Sequence, residues 1–404
     1  YDNDSEMLRM TPGASNEGEP MTIQLMRRFA AVLFAVALAL GAAVSAMAWQ
    51  LAPEATATER GMAALNGRLQ KVLNRGVFQG ISVVGDPVHE DITRRALRCP
   101  ASESRDSRWP PGCEIDIRYQ EAGVRWNDDP AFKFLPGRGE YLGCTPGKTV
   151  RLVTQPVCWA IENIVFKHGE RAASRRVRLT GRNGNLLVRS HFGDLQFLHA
   201  MAVADGEAAE VTRRNIMAWL EFTWRTSTGE AGFGSQRVVA RLPIDGFAER
   251  FRHNQGWRIQ DLFALDNPGV RDAGAIQKIA FGSLIHVVED SFAAGHVDRA
   301  APPPGATCAG WRAPGEIREF HSYPRQDSHR HGLADKLAAL QQHEGSANPN
   351  VIDVVSTLGI LWRAAAPWDE ARTYLDCVFR LAPDARPSSP GERFTPTDQV
   401  QWGG

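Results

Sequence analysis

Apolar positions along this chain recur mostly at intervals of three and four, the signature of helices with one buried face. Met62, Leu65, Leu69 and Leu73 mark such a helix over Glu59–Leu73. Val88–Leu97 reads as a second, and Leu195–Val203 with Glu207–Thr223 as one or two more. Ala275–Ala293 is a strongly apolar helix, and Leu333–His343, Val351–Ala365 and Trp368–Leu381 continue the series. Other stretches interrupt this pattern. Arg98–Thr154 is rich in Pro, Gly and Cys and reads as a long loop region, the main part of an insertion over about 98–180. Val177–Val188 predicts a hairpin turning at Asn183-Gly184. Pro302, Pro303 and Pro304 predict a rigid loop, and 383–404, rich in Pro, Ser and Gly, predicts a disordered tail. No internal repeat is visible. The pattern predicts a mainly α fold, one helical domain over 49–382.

The N-terminal region carries a different signal. Met26, Arg27 and Arg28 form a short basic start, Phe29–Val44 is apolar but short for a membrane span, and Ala46-Met47-Ala48 fits a cleavage site. Residues 26–48 therefore predict an export signal cut after Ala48, which places the protein in a periplasm or outside the cell. An uncleaved anchor is the alternative. Residues 1–25 are expected to be mis-started or disordered sequence, since Met21 and Met26 fit a start better.

Charge weighs lightly against one class of function and cysteine usage supports the compartment. The 46 Lys and Arg balance 46 Asp and Glu, so no overall basic field argues for nucleic acid. Metal ions would carry their own positive charge, so this is weak evidence against a nuclease. Six cysteines on an exported chain favour disulfides. Proximity suggests Cys99–Cys113 and Cys144–Cys158, and elimination then leaves Cys308–Cys377.

The candidate chemistry is concentrated in Leu284–Arg299, LIHVVEDSFAAGHVDR, with His286, Asp290 and His296 at spacings of four and six. On a helix, residues four apart are offset by only ~40°, so His286 and Asp290 share a face and can grip one cation. His296 points elsewhere, and Gly295 before it suggests that the helix is ending. One helix could thus serve two metals. Further candidates are His89 in VHEDITRRAL, Asp128 and Asp129 in RWNDDP, and His191 in SHFGD with Asp194 and His199 close by. His331 and Asp335 in HRHGLAD repeat the four-residue spacing. Imidazoles with carboxylates are a donor set that zinc accepts. Each cluster alone also fits a bland reading: His89 as a helix cap, Asp128-Asp129-Pro130 as a turn, His191 and His199 as amphipathic-helix residues, His331 and Asp335 as a solvated pair.

Taken in order, these motifs resemble the superfamily of zinc-dependent phospholipases C and single-strand-specific (S-one/P-one type) nucleases. The resemblance lies in ordered motifs from Trp49 to Asp335, not in continuous similarity. It implies an all-helical domain of that type holding up to three zinc ions. His286, Asp290, His191 and Asp128 or Asp129, with a preference for Asp128, would hold the first. Asp290 would bridge to a second, held also by His89 and by the Trp49 terminus. His296, His331 and Asp335 would hold the third, His331 being preferred to His321 because Arg325 stands four positions after the latter. Asp128, Asp129 and Asp290 would carry the catalysis, by metal-activated water on a phosphodiester. Two departures stand out: Trp49 and His89 are far apart, and so are Asp129 and His191.

The expected substrate is a phospholipid or another phosphodiester, with peripheral membrane contact through the catalytic domain. Phospholipid is preferred because Ser291–His296 lacks the nuclease-type His-Gln-Pro-Leu-His run and because the helix before it is apolar. A single-strand nuclease on the same zinc core and a non-catalytic zinc-binding envelope protein are the alternatives.

Overall fold

The computed structural model describes residues 87–98, 114, 116–130, 132–133, 149–150, 169, 171–172, 175, 177–181, 185–254, 256–264, 270, 272–347 and 349–395. The expected signal segment, Trp49, the helix over Glu59–Leu73 and the pairs Cys99–Cys113 and Cys144–Cys158 lie outside the described residues. Those described are mainly α-helical. In chain order the helices are α1 (Val88–Leu97), α2 (Arg118–Val124), α3 (Leu186–Phe192), α4 (Ala209–Ser227), α5 (Phe247–Phe251), α6 (Ile259–Ala264) and α7 (Ala273–Asp290). They continue with α8 (Ser328–Ala334), α9 (Leu337–Ser346), α10 (Val351–Arg363) and α11 (Trp368–Val378). Three small antiparallel pairs join β1 (Phe132–Lys133) to β2 (Thr149–Val150), β3 (Val297–Arg299) to β6 (Ile317–Phe320), and β4 (Thr307–Cys308) to β5 (Trp311–Arg312). No helix among the described residues is long and apolar enough to cross a membrane.

Helix α7 is the axis of the fold. A helix apolar on every side belongs inside a core, and every residue of α7 from Ile279 to Asp290 is buried. Asp272 caps its start by accepting from Gly274 N–H. It packs against α2, α4, α10 and α1, and the last two also pack on each other. Contact with α2 is close enough to need glycine on both sides. A Cβ on Gly282 would lie 2.6 Å from Gly123 Cα, and closer still to the Gln120 carbonyl oxygen. Trp126, Trp219, Phe222 and Phe263 fill the core around these helices.

Four expectations need correction. Arg118–Val124 falls in the expected loop region, yet it forms α2, because Gln120, Ala122, Gly123 and Val124 are buried in the core. The expected hairpin over 177–188 gives way to α3, whose cap is Asn185: its side chain accepts from Val188 N–H. Leu333–His343 is two helices rather than one, because α8 ends at Ala334 and Lys336 is extended. The tail is structured at least to 395. Ser388 and Phe394 are buried, and Asp327 N–H donates to the Phe394 carbonyl at 2.7 Å. The pair expected by elimination is present: Cys308 and Cys377 form a disulfide that ties β4 to α11.

Candidate metal centre

Asp290 sits on the last turn of α7, one turn after His286, and its Oδ2 lies 2.9 Å from His286 Nε2. His286 is oriented from behind: Nδ1 donates to the Val124 carbonyl at 2.6 Å. That hydrogen bond puts a proton on Nδ1 and turns Nε2 toward the carboxylate. His89, at the start of α1, stacks on His286 at 4.0 Å between ring centres. Its Nε2 stands 3.4 Å from Asp290 Oδ1 and its Nδ1 2.5 Å from Glu289 Oε2.

Asp128 reaches the same place from the turn after α2. The turn is pinned by Asn127, which donates to the Leu198 carbonyl at 2.7 Å and accepts from Ser283 Oγ at 2.6 Å. Asp128 Oδ2 lies 3.8 Å from His89 Nε2, while Oδ1 lies 3.6 Å from His199 Nδ1 and 3.9 Å from His286 Nε2. Asp128 and Asp290 therefore each turn one oxygen toward His89 and the other toward His199 and His286. His199 comes from the single 3-10 turn Gln196–His199, closed by Ala200 in the left-handed region (φ 51°). Its Nδ1 is 3.0 Å from Asp290 Oδ2 and 3.1 Å from His286 Nε2. His191, on α3, joins this side, with Nδ1 donating to the Leu187 carbonyl at 2.8 Å.

A further group lies just past the end of α7. His296 Nδ1 donates to the His199 carbonyl at 2.6 Å. Its ring centre is 5.0 Å from that of His331. Asp335 closes the group, with Oδ2 3.2 Å from His331 Nε2 and Oδ1 3.9 Å from His296 Nε2. Asp335 is the C-cap of α8, so the four-residue spacing works although the helix stops there.

In each of three groups, one ligand atom per residue lies within 4.8 Å of the others: His89, His286 and Asp290; Asp128, His191 and His199; His296, His331 and Asp335. Ligands around a tetrahedral zinc stand roughly 3.3 Å apart, from zinc–nitrogen bonds of about 2.0 Å. The spacing here is of that order. The donors also fit. Both carboxylate oxygens of Asp128 and Asp335, with Nε2 of His199, His296 and His331, are buried without a hydrogen-bond partner. A buried unsatisfied polar atom costs about 1–3 kcal/mol. Such atoms gathered at three adjoining points are what cation sites would provide. The described residues thus form buried His and Asp groups able to hold metal ions.

Eight of the nine residues expected as ligands fall within these groups; the ninth, Trp49, lies outside the described residues. The grouping differs from the expected one, for His286 stands with His89 and Asp290, and His191 with Asp128. Asp128, not Asp129, enters the groups; Asp129 is buried beside it but belongs to none of them. His321 also stays outside: Nδ1 donates to the Gly295 carbonyl at 3.1 Å. Asp194 pairs with Arg189 at 2.7 Å instead. His199 is the member missing from the expected set. Its position in SHFGDLQFLH suggested an amphipathic-helix residue, whereas it ends a single 3-10 turn closed by a left-handed alanine.

Electrostatics separate Asp290 from the other carboxylates. Burial alone would raise its pKa. The charges of His286 and His296 and hydrogen bonds from His199 and His286 outweigh that and hold it well below the ordinary range. Burial, with Asp290 nearby, pushes Asp128 and Asp335 well above theirs. Burial lowers His89, His191 and His331 well below the usual imidazole value, and takes His199 to about 4. Burial thus disfavours charge on these four imidazoles and favours the protonated carboxyl of Asp128 and Asp335, so a bound cation would displace protons from the two acids. Cation uptake by the chelated protein should release protons, and its affinity should rise with pH. Calorimetry in two buffers of different ionisation enthalpy reads this directly, and an enthalpy that ignores the buffer would count against it. Compared with protein-family models, curated proteins and solved structures, the chain matches none.

Proposed function

We propose that this chain is an exported, zinc-dependent phosphodiesterase, phospholipase C-like in its substrate and of the helical phospholipase C/nuclease type. The observation that supports it is the convergence of three buried ligand groups on the end of α7, with Asp290 at the centre. Zinc held there would lower the pKa of a bound water toward ~7 and stabilise charge developing on phosphate oxygens. Asp290 would supply negative charge between neighbouring cations. Asp128, with both oxygens turned to the ligand cluster, is the residue to take a proton from water during attack. The imidazoles would set the geometry around the cations without adding negative charge.

The lipid preference now stands on one leg. Phe281, Leu284, Ile285, Val287 and Val288 are fully buried, so the apolar character of α7 is core packing and says nothing of lipid. What remains is Ser291–His296, which departs from the nuclease-type run. The test is to strip the protein with a chelator, restore zinc, and assay phosphatidylcholine and single-stranded DNA. Phosphatidylcholine hydrolysis should vanish with the metal and return with zinc. Activity indifferent to chelation would overturn the metal reading, and cleavage of DNA alone would move the substrate to nucleic acid. A zinc-loaded protein inactive on both would favour the non-catalytic alternative.

A further inference from the structure

Glu289 is a carboxylate that the proposed chemistry does not use, yet it is fully buried beside the ligand cluster. It follows His286 by three positions and precedes Asp290, so on a helix its side chain leaves α7 about 100° away from that of Asp290. Both of its oxygens are engaged by α1. Oε2 lies 2.5 Å from His89 Nδ1, and Oε1 accepts from Thr93 Oγ1 at 3.0 Å. His89 and Thr93 are one turn apart on α1, so a single carboxylate spans a turn of the neighbouring helix. On its other side His89 is stacked on His286, and its Nε2 faces Asp290 and Asp128.

We propose that Glu289 is the positioning residue of the centre. It holds His89 with the proton on Nδ1 and the lone pair on Nε2, turned into the group shared with His286 and Asp290. The logic is that of metal-bound histidines generally: the far ring nitrogen donates to a carboxylate, which fixes tautomer and ring angle and raises ligand basicity. Thr93 matters because it occupies the second oxygen and stops the carboxylate from rotating away. The inference rests on the metal reading above, and it assigns Glu289 an effect on one ligand group without contact with substrate.

Glu289→Gln is the informative variant, since the amide keeps the shape and can still accept from His89 but carries no charge. Zinc affinity is measured by competition with a chromophoric chelator. The variant should bind one ion about 10- to 100-fold more weakly, the loss seen for such outer partners. The remaining ions should keep wild-type affinity, and the melting temperature at saturating zinc should stay unchanged. Wild-type affinity for every ion in the variant would overturn this proposal alone. A wild-type protein that takes up no zinc would overturn the metal reading and this proposal with it. Proton NMR of the unsubstituted protein gives a second check that needs no Glu289 variant. A far-downfield Nδ1–H resonance that disappears in His89→Gln is expected, and its absence from the wild type would overturn the assignment.

Discussion

Asp290→Asn is expected to empty part of the metal centre and to lower phosphodiesterase activity on the order of 1,000-fold or more, about 4 kcal/mol in the barrier at 1.36 kcal/mol per factor of ten. Its two oxygens face three imidazoles. One oxygen faces His286 and His199 at 2.9 and 3.0 Å, and the other faces His89 at 3.4 Å. Among the carboxylates of the three ligand groups it alone is held well below its ordinary range, by the imidazoles around it. Asparagine keeps the shape and one acceptor, but it removes a full negative charge and turns an N–H₂ toward a cation or a lone pair. Zinc stoichiometry by mass spectrometry, set beside turnover, checks the expectation. A purified variant with normal zinc content and normal turnover would end the three-ion reading.

The second large effect concerns stability. Gly282→Ala should cost about 3 kcal/mol or more, at the upper end for overpacked cores. The added methyl would lie 2.6 Å from Gly123 Cα and 2.8 Å from Val124 N. These are backbone atoms of α2, which cannot swing aside as a side chain can, so one helix must move. Movement would be felt at the site as well: His286 donates to Val124, and Asp128 follows α2 through a turn fastened to Ser283. Gly345→Ala makes the control, since nothing lies within 4 Å of its added methyl. It stands in the exposed part of α9, where alanine is favoured by roughly 0.5–1 kcal/mol. Thermal melts of the two variants should separate by several degrees. Equal melting temperatures would mean that α2 and α7 do not meet as described.

Where helical spacing and ligand spacing coincide, the chain could be read directly. His286 with Asp290, and His331 with Asp335, lie one turn apart on α7 and at the end of α8. α1 and α10 begin at the expected residues because an amphipathic pattern and a clear cap or proline mark their starts. What could not be read depends on tertiary contacts. α2 is short, and its small residues look like loop composition until Gly123 is seen against α7. Asp128, not Asp129, joins the ligand groups, in a turn that Asn127 fastens to Leu198 and Ser283. His199 ends a single 3-10 turn closed by a left-handed alanine, a conformation that no local pattern announces. The tail packs because its backbone finds partners at Gly206, Glu207 and Ser322, residues remote in sequence.

The Cys308–Cys377 bond bears on the chain when it is not folded. It closes a covalent ring over a sequence separation of 69, and such a ring removes about 4 kcal/mol of chain entropy from the denatured ensemble. His331 and Asp335 lie inside that ring, and His296 lies a short way before it. Even a molten chain therefore keeps this trio within a confined volume, whereas His89 and Asp128 are tethered to it only through long stretches of backbone. The oxidised polymer carries the rudiment of one chelate before any helix has formed.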